Sequence, residues 1–125
     1  MHFALRIAVV MAASVVWPVL AATATYDCRF TTTATPKGLT TEPFELKFLI
    51  DTVAKKAYVV GNNGSSEVEL VPSPYGGVSF IEITRSGNVL VTMITKSGEA
   101  AHSRNLVLGG ALFRPSQSYG TCSRQ

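Results

Sequence analysis

From Phe44 to Ile50 the chain alternates with a period of two. Phe44, Leu46, Phe48 and Ile50 are apolar, and Glu45 and Lys47 stand between them. That period sets one face of an extended segment against a core and the other in water, the pattern of a half-buried β-strand. Val68 and Leu70 alternate with Glu67 and Glu69 in the same way. Ala57-Tyr58-Val59-Val60 is a short run of strand formers. Between these two runs, Asn62-Asn63-Gly64-Ser65-Ser66 reads as a hairpin loop, because Asn and Gly tolerate the positive φ of tight turns. Residues 78–84 and 89–95 form a second strand pair around Arg85-Ser86-Gly87-Asn88, with Ile81 and Ile83 on one face and Phe80 on the other. After Lys96-Ser97-Gly98-Glu99, a strand is expected over residues 100–108. Gly109-Gly110 breaks it, and Ala111-Leu112-Phe113 follows as a short last core segment. Residues 26–33 and 119–122 complete the set as terminal strands.

No stretch after residue 24 carries an apolar stripe of helical period. Turn signals every 8–12 residues or so favour an all-β sandwich or barrel. Short connections require antiparallel pairing, since parallel strands need long crossovers. The expected fold is therefore all-β, a small antiparallel meander barrel of about seven or eight strands. A two-sheet β-sandwich is the alternative. Closure is favoured because it removes the strand edges that invite aggregation. Phe44, Leu46, Phe48, Ile50, Val59, Ile81, Ile83, Ile94 and Leu106 are the expected filling. An eight-stranded barrel has room for side chains or one small ligand, which limits a lipid-carrier role.

Residues 1–24 are laid out as a secretory signal peptide: a short segment with one basic residue, Arg6, an apolar stretch from Ile7 to Leu20, then the small residues Ala21-Ala22-Thr23-Ala24. The competing reading, a membrane anchor, needs about 20 apolar residues, and here Pro18 falls near the end of a shorter run. The expectation is cleavage, a single domain over residues 25–125, a periplasmic or secreted location, and no stable membrane anchor afterwards. The only tryptophan, Trp17, and one of the two histidines, His2, belong to this leader.

The chain's two cysteines, Cys28 and Cys122, lie near the two ends of the expected domain. In an oxidising compartment such a pair persists as a disulfide. Closing a loop of that size stabilises by about 4–5 kcal/mol on the chain-entropy argument. There is no C-x-x-C, and two distant cysteines with one remaining histidine make no zinc pattern, so neither metal nor cofactor is expected. The ten basic residues beyond Arg6 are scattered without a stripe, which argues against a nucleic-acid partner.

The most polar stretch of the C-terminal third is His102-Ser103-Arg104-Asn105. A serine nucleophile would need His102 as its base and an aspartate, Asp27 or Asp51, to orient it, but no G-x-S-x-G or S-x-x-K motif is present. Glu67 and Glu69 share a strand face, and they alternate with core residues, so a solvent-facing pair is expected rather than a glycosidase dyad. Glu82 shares the face of Phe80 and Thr84 and is a candidate for partial burial beside a Lys or Arg. No catalytic residue is assigned and no enzyme is expected, a small hydrolase being the least favoured reading. The candidate binding residues are His102, Arg104, Gln117 and Tyr119. Alternation puts His102 and Arg104 on one strand face, and Tyr and Arg are enriched at binding hot spots. The competing reading makes them an exposed strand face and a ring packed over the disulfide.

Over roughly its last 45 residues, the tail Arg114-Pro115-Ser116-Gln117-Ser118-Tyr119-Gly120-Thr121-Cys122 with His102-Ser103-Arg104-Asn105 before it, and more weakly Tyr26-x-Cys28 at the front, the chain resembles small uncharacterised exported bacterial proteins with a Pro-Ser-Gln-x-Tyr-Gly-x-Cys ending. The resemblance brings no activity with it. Tyr26-x-Cys28 and the late Ser86-Gly87 and Ser97-Gly98 turns are also similar to small periplasmic lysozyme inhibitors of the eight-stranded barrel type. The chain lacks their Ser-Gly-x-x-Tyr run and the aromatic residue ahead of the late Gly turn, so no inhibitory residue is carried over. The leading functional expectation is an exported, non-enzymatic β module that binds a partner in the cell envelope or outside the cell. An inhibitor of a cell-wall hydrolase is the alternative.

Overall fold

A computed structural model describes residues 23–125. The expected signal segment lies outside these residues, apart from Thr23 and Ala24, which open the first strand. Eight strands follow one another: β1 (Thr23–Thr35), β2 (Gly38–Asp51), β3 (Lys56–Gly61), β4 (Gly64–Pro72), β5 (Val78–Ile83), β6 (Val89–Ile94), β7 (Glu99–Leu108) and β8 (Leu112–Arg124). Each pairs antiparallel with the next, and β8 returns to β1, so the sheet is a closed meander barrel rather than a sandwich.

The seam between β1 and β8 carries the disulfide. Cys28 and Cys122 are direct register partners with Cα atoms 4.0 Å apart, and they are bonded. The backbone N–H of Cys122 turns away from β1 and donates to the Gly98 carbonyl at 2.7 Å. The cysteines thus occupy a non-hydrogen-bonded pair, where facing side chains come closest. Farther along the seam, register slips between Phe30 and Thr32 against both neighbouring strands. Gly120 sits at that slip. A Cβ on it would lie 2.7 Å from the Phe30 Cα, so only glycine lets the two strands meet there.

Two tiers of rings fill the lumen. Phe48 and Phe80 stack at 4.2 Å between centroids, with Tyr26 edge-on to Phe80 at 6.0 Å. Phe30 and Phe44 stack at 5.0 Å in the other tier, which also holds the imidazole of His102, 5.6 Å from Phe30 and 5.9 Å from Phe44. Phe30, Phe48 and Phe80 are fully buried.

Three expectations are corrected. Ile81 and Ile83 do not fill the barrel: Phe80 takes the inward position, and Ile83 is 68% exposed. The strand's partners decide this, because Phe80 lies opposite Leu70 and Thr92 in the inward row. Residues 111–113 are no core segment either. They enter the exposed tip of the β7–β8 hairpin, where Phe113 is 61% exposed. The terminal strands run longer than the apolar pattern indicates, because threonines and serines continue β1, β2 and β8 beyond it.

Candidate functional site

At the end of the barrel that carries the β3–β4 and β5–β6 turns, the lumen opens into a polar mouth. Its cavity, about 340 Å³, is lined by the 61–66 turn, Glu82, Leu90, His102 and Arg104, with Phe44 below. Alternation along β7 aims His102 and Arg104 to the same side. Register across β5, β6 and β7 sets Glu82, Leu90 and Arg104 in one row, so Leu90 holds the opposite charges apart. Among the described residues neither Glu82 nor Arg104 forms an ion pair.

His102 is buried, not exposed as its polar neighbours suggested. Its Nδ1 lies 2.6 Å from the Thr92 hydroxyl, its register partner on β6. Burial in the ring tier and then the positive charge of Arg104 push its pKa down from 6.5 to about 4. The imidazole is therefore neutral at physiological pH, a fixed hydrogen-bonding group rather than a cation. On its other side in register stands Ser118, whose hydroxyl pairs instead with Thr33 at 2.8 Å. The buried hydroxyls thus satisfy one another, and no serine among the described residues hydrogen-bonds His102.

The four candidate binding residues do not share one patch. His102 and Arg104 face the lumen and its mouth. Gln117 pairs in register with Ser103 and faces outward with it, as does Tyr119. The outward pair forms its own chain of hydrogen bonds: Ser103 Oγ donates to Gln117 Oε1 at 2.9 Å, and Gln117 Nε2 donates to Tyr119 Oη at 3.1 Å. Tyr119 is 43% exposed and does not cap the disulfide.

That chain lies in the middle of an uncharged outer wall, which the sequence reading missed. Across β5–β8 one outward row reads Ile83, Val89, Asn105, Pro115. The next reads Ile81, Val91, Ser103, Gln117, and the third Ser79, Met93, Ala101, Tyr119. None of these carries a charge, and Ile83, Val89, Met93 and Tyr119 are exposed, as are Val107 and Phe113 beyond them. The opposite wall differs. There Arg29 pairs with Glu45 at 2.8 Å and Lys47 with Asp27 at 3.5 Å, both across β1–β2. A signal was available: Val89-Leu90-Val91 is apolar at consecutive positions, so one of its faces had to point outward.

Among the described residues no His, Cys, Asp or Glu cluster could hold a metal ion. The chain matches no protein-family model, and no curated protein or solved structure matches it significantly.

Proposed function

We propose that the protein is an exported, non-enzymatic binding module that docks a partner protein of the cell envelope or extracellular space through the outer wall of β5–β8. The observation that carries this reading is the contrast between the two walls. One is laced with cross-strand ion pairs, whereas the other exposes Ile83, Met93 and Phe113 around the Ser103–Gln117–Tyr119 chain. Contiguous exposed apolar surface is uncommon on monomeric proteins and marks interaction sites. Closure of the barrel leaves no strand edge, so recognition has to use side-chain faces. Tyr119, an aromatic with a hydrogen-bonded tip amid apolar neighbours, has the character of a binding hot spot. The Cys28–Cys122 disulfide fits an oxidising compartment and so supports export.

The test compares wild type with Met93→Glu and Phe113→Glu, both at exposed positions. Each immobilised protein is exposed to the exported fraction of its own cells, and any captured protein is then purified and rebound in isolation. A stoichiometric partner lost by both variants, with unchanged melting, supports the reading. Equal binding by the variants, or no partner that rebinds in isolation, overturns it. So does a self-dimer that the variants dissolve, since the wall would then serve self-association.

A further inference from the structure

We propose that the polar mouth of the barrel is a binding site for a small neutral saccharide, a second site on the opposite face of β7 from the outer wall. Apart from Glu45, paired with Arg29, and His102, bonded to Thr92, the polar side chains around this cavity are unspent. Among the described residues Asn62, Asn63, Ser65, Ser66, Glu82 and Arg104 line it, and none makes a side-chain hydrogen bond or ion pair within the chain. His102 adds a buried imidazole whose orientation is fixed from behind by Thr92 at Nδ1. Among the described residues no fully buried side-chain nitrogen or oxygen lacks a partner, so its Nε2, which has none, is not fully buried, and His102 lines the mouth.

Three properties select the ligand class. The first is charge: Glu82 and Arg104 cancel, Glu45, which also lines the cavity, is paired with Arg29 at 2.8 Å, and His102 is neutral, so the mouth favours neither a simple anion nor a simple cation. The second is hydrogen-bond character. A carboxylate accepts, a guanidinium donates, and amides and hydroxyls do both, which suits hydroxyls that themselves donate and accept. The third is shape. The stacked rings of Phe30 and Phe44 close the lumen below the mouth, so an acyl chain has nowhere to go. The half-buried Phe44 ring supplies apolar surface for the carbon–hydrogen face of a sugar. A cavity of about 340 Å³ is at the small end of ligand pockets, which limits the occupant to one or two sugar rings.

The test uses the intact disulfide-bonded protein, ¹⁵N-labelled and titrated with glucose and with N-acetylglucosamine. Glycylglycine serves as the zwitterionic probe and sodium acetate as the anionic one. A saturable shift with a sugar is expected at the amides of residues 61–66, 82 and 102–104. Removing one charged hydrogen-bond partner should weaken binding about tenfold or more in Glu82→Gln and in Arg104→Ala. Neither side chain has a hydrogen-bond or ion-pair partner among the described residues, so both variants should melt like wild type; Ser66→Ala replaces either that does not. Failure of both sugars to saturate overturns the proposal. So does saturation by glycylglycine or acetate alone, or sugar binding unchanged in the variants. Loss of the outer-wall partner in Met93→Glu would leave these titrations as they are, so the two sites fail separately.

Discussion

Thr92 and His102 face each other inside the barrel, hydroxyl oxygen to Nδ1 at 2.6 Å, and this contact fixes a neutral imidazole beside two stacked phenylalanine rings. In the unfolded chain a histidine titrates near 6.5, whereas here the pKa is about 4. Between those values the unfolded state binds more protons than the folded one. The contribution of His102 is therefore complete above about pH 6.5. It is lost as the pH falls through the window, and the loss levels off below about pH 4. At about 1.4 kcal/mol per pH unit, the drop from pH 7 to pH 5 should be about 2 kcal/mol. Urea melts at the two pH values measure it, and an imidazole NMR titration with a midpoint near 6.5 would refute it.

The second prediction contrasts neighbours on β5. Phe80 is stacked on Phe48 and is 1% exposed, so Phe80→Ala should cost about 3–5 kcal/mol. Ile83, three residues on, points out, and Ile83→Ala should stay within about 0.5 kcal/mol of wild type. Chemical denaturation of the two variants checks which side of β5 faces the core. A large loss in Ile83→Ala would reverse the assignment.

The same strand shows what was legible in the sequence. In β2 the charges at Glu45 and Lys47 leave one possible inward face, and Phe44, Leu46 and Phe48 do pack in the core. In β5 both faces are apolar, so period two finds the strand without choosing its side. The choice is made by pairing with Leu70 and Thr92 on other strands, a long-range property. Strand count to within one and antiparallel order were legible because turn signals are local. Closure, favoured over a sandwich only by the strand-edge argument, is set by the long-range pairing of β1 with β8. The burial of His102 was not, since the tier of Phe30 and Phe44 that encloses it comes from β1 and β2, far away in the chain. The alternation of His102 and Arg104 was legible, but the separation of Gln117 and Tyr119 onto the opposite face depends on the β7–β8 register, which was not.

A third prediction concerns the seam. Cys28 is 3% exposed and joined to Cys122 across a separation of 94 residues. Thiol titration of the unfolded, unreduced protein should find essentially no free thiol. Cys28→Ser should lower stability by about 2–5 kcal/mol, because the unfolded chain regains the freedom that the closed loop denies it. Two reactive thiols per chain would remove the staple and reopen a redox role for these residues.

The last prediction isolates the close approach of β1 and β8. A Cβ at Gly120 would stand 2.7 Å from the Phe30 Cα and 2.8 Å from the Arg29 carbonyl carbon, closer than real Cβ contacts allow. Both neighbours are backbone, so no side-chain rotation relieves the clash. The strands must separate at the register slip, beside the fully buried Phe30 ring. Gly120→Ala should therefore destabilise by about 3 kcal/mol or more, in the range of severe core substitutions. Ser118→Ala, two residues earlier, removes only the Thr33 partner and should cost about 1–3 kcal/mol by leaving a buried hydroxyl unpaired. Urea melts of both variants, with the disulfide intact, give the comparison. A Gly120→Ala protein as stable as wild type would mean that β1 and β8 do not meet at this register.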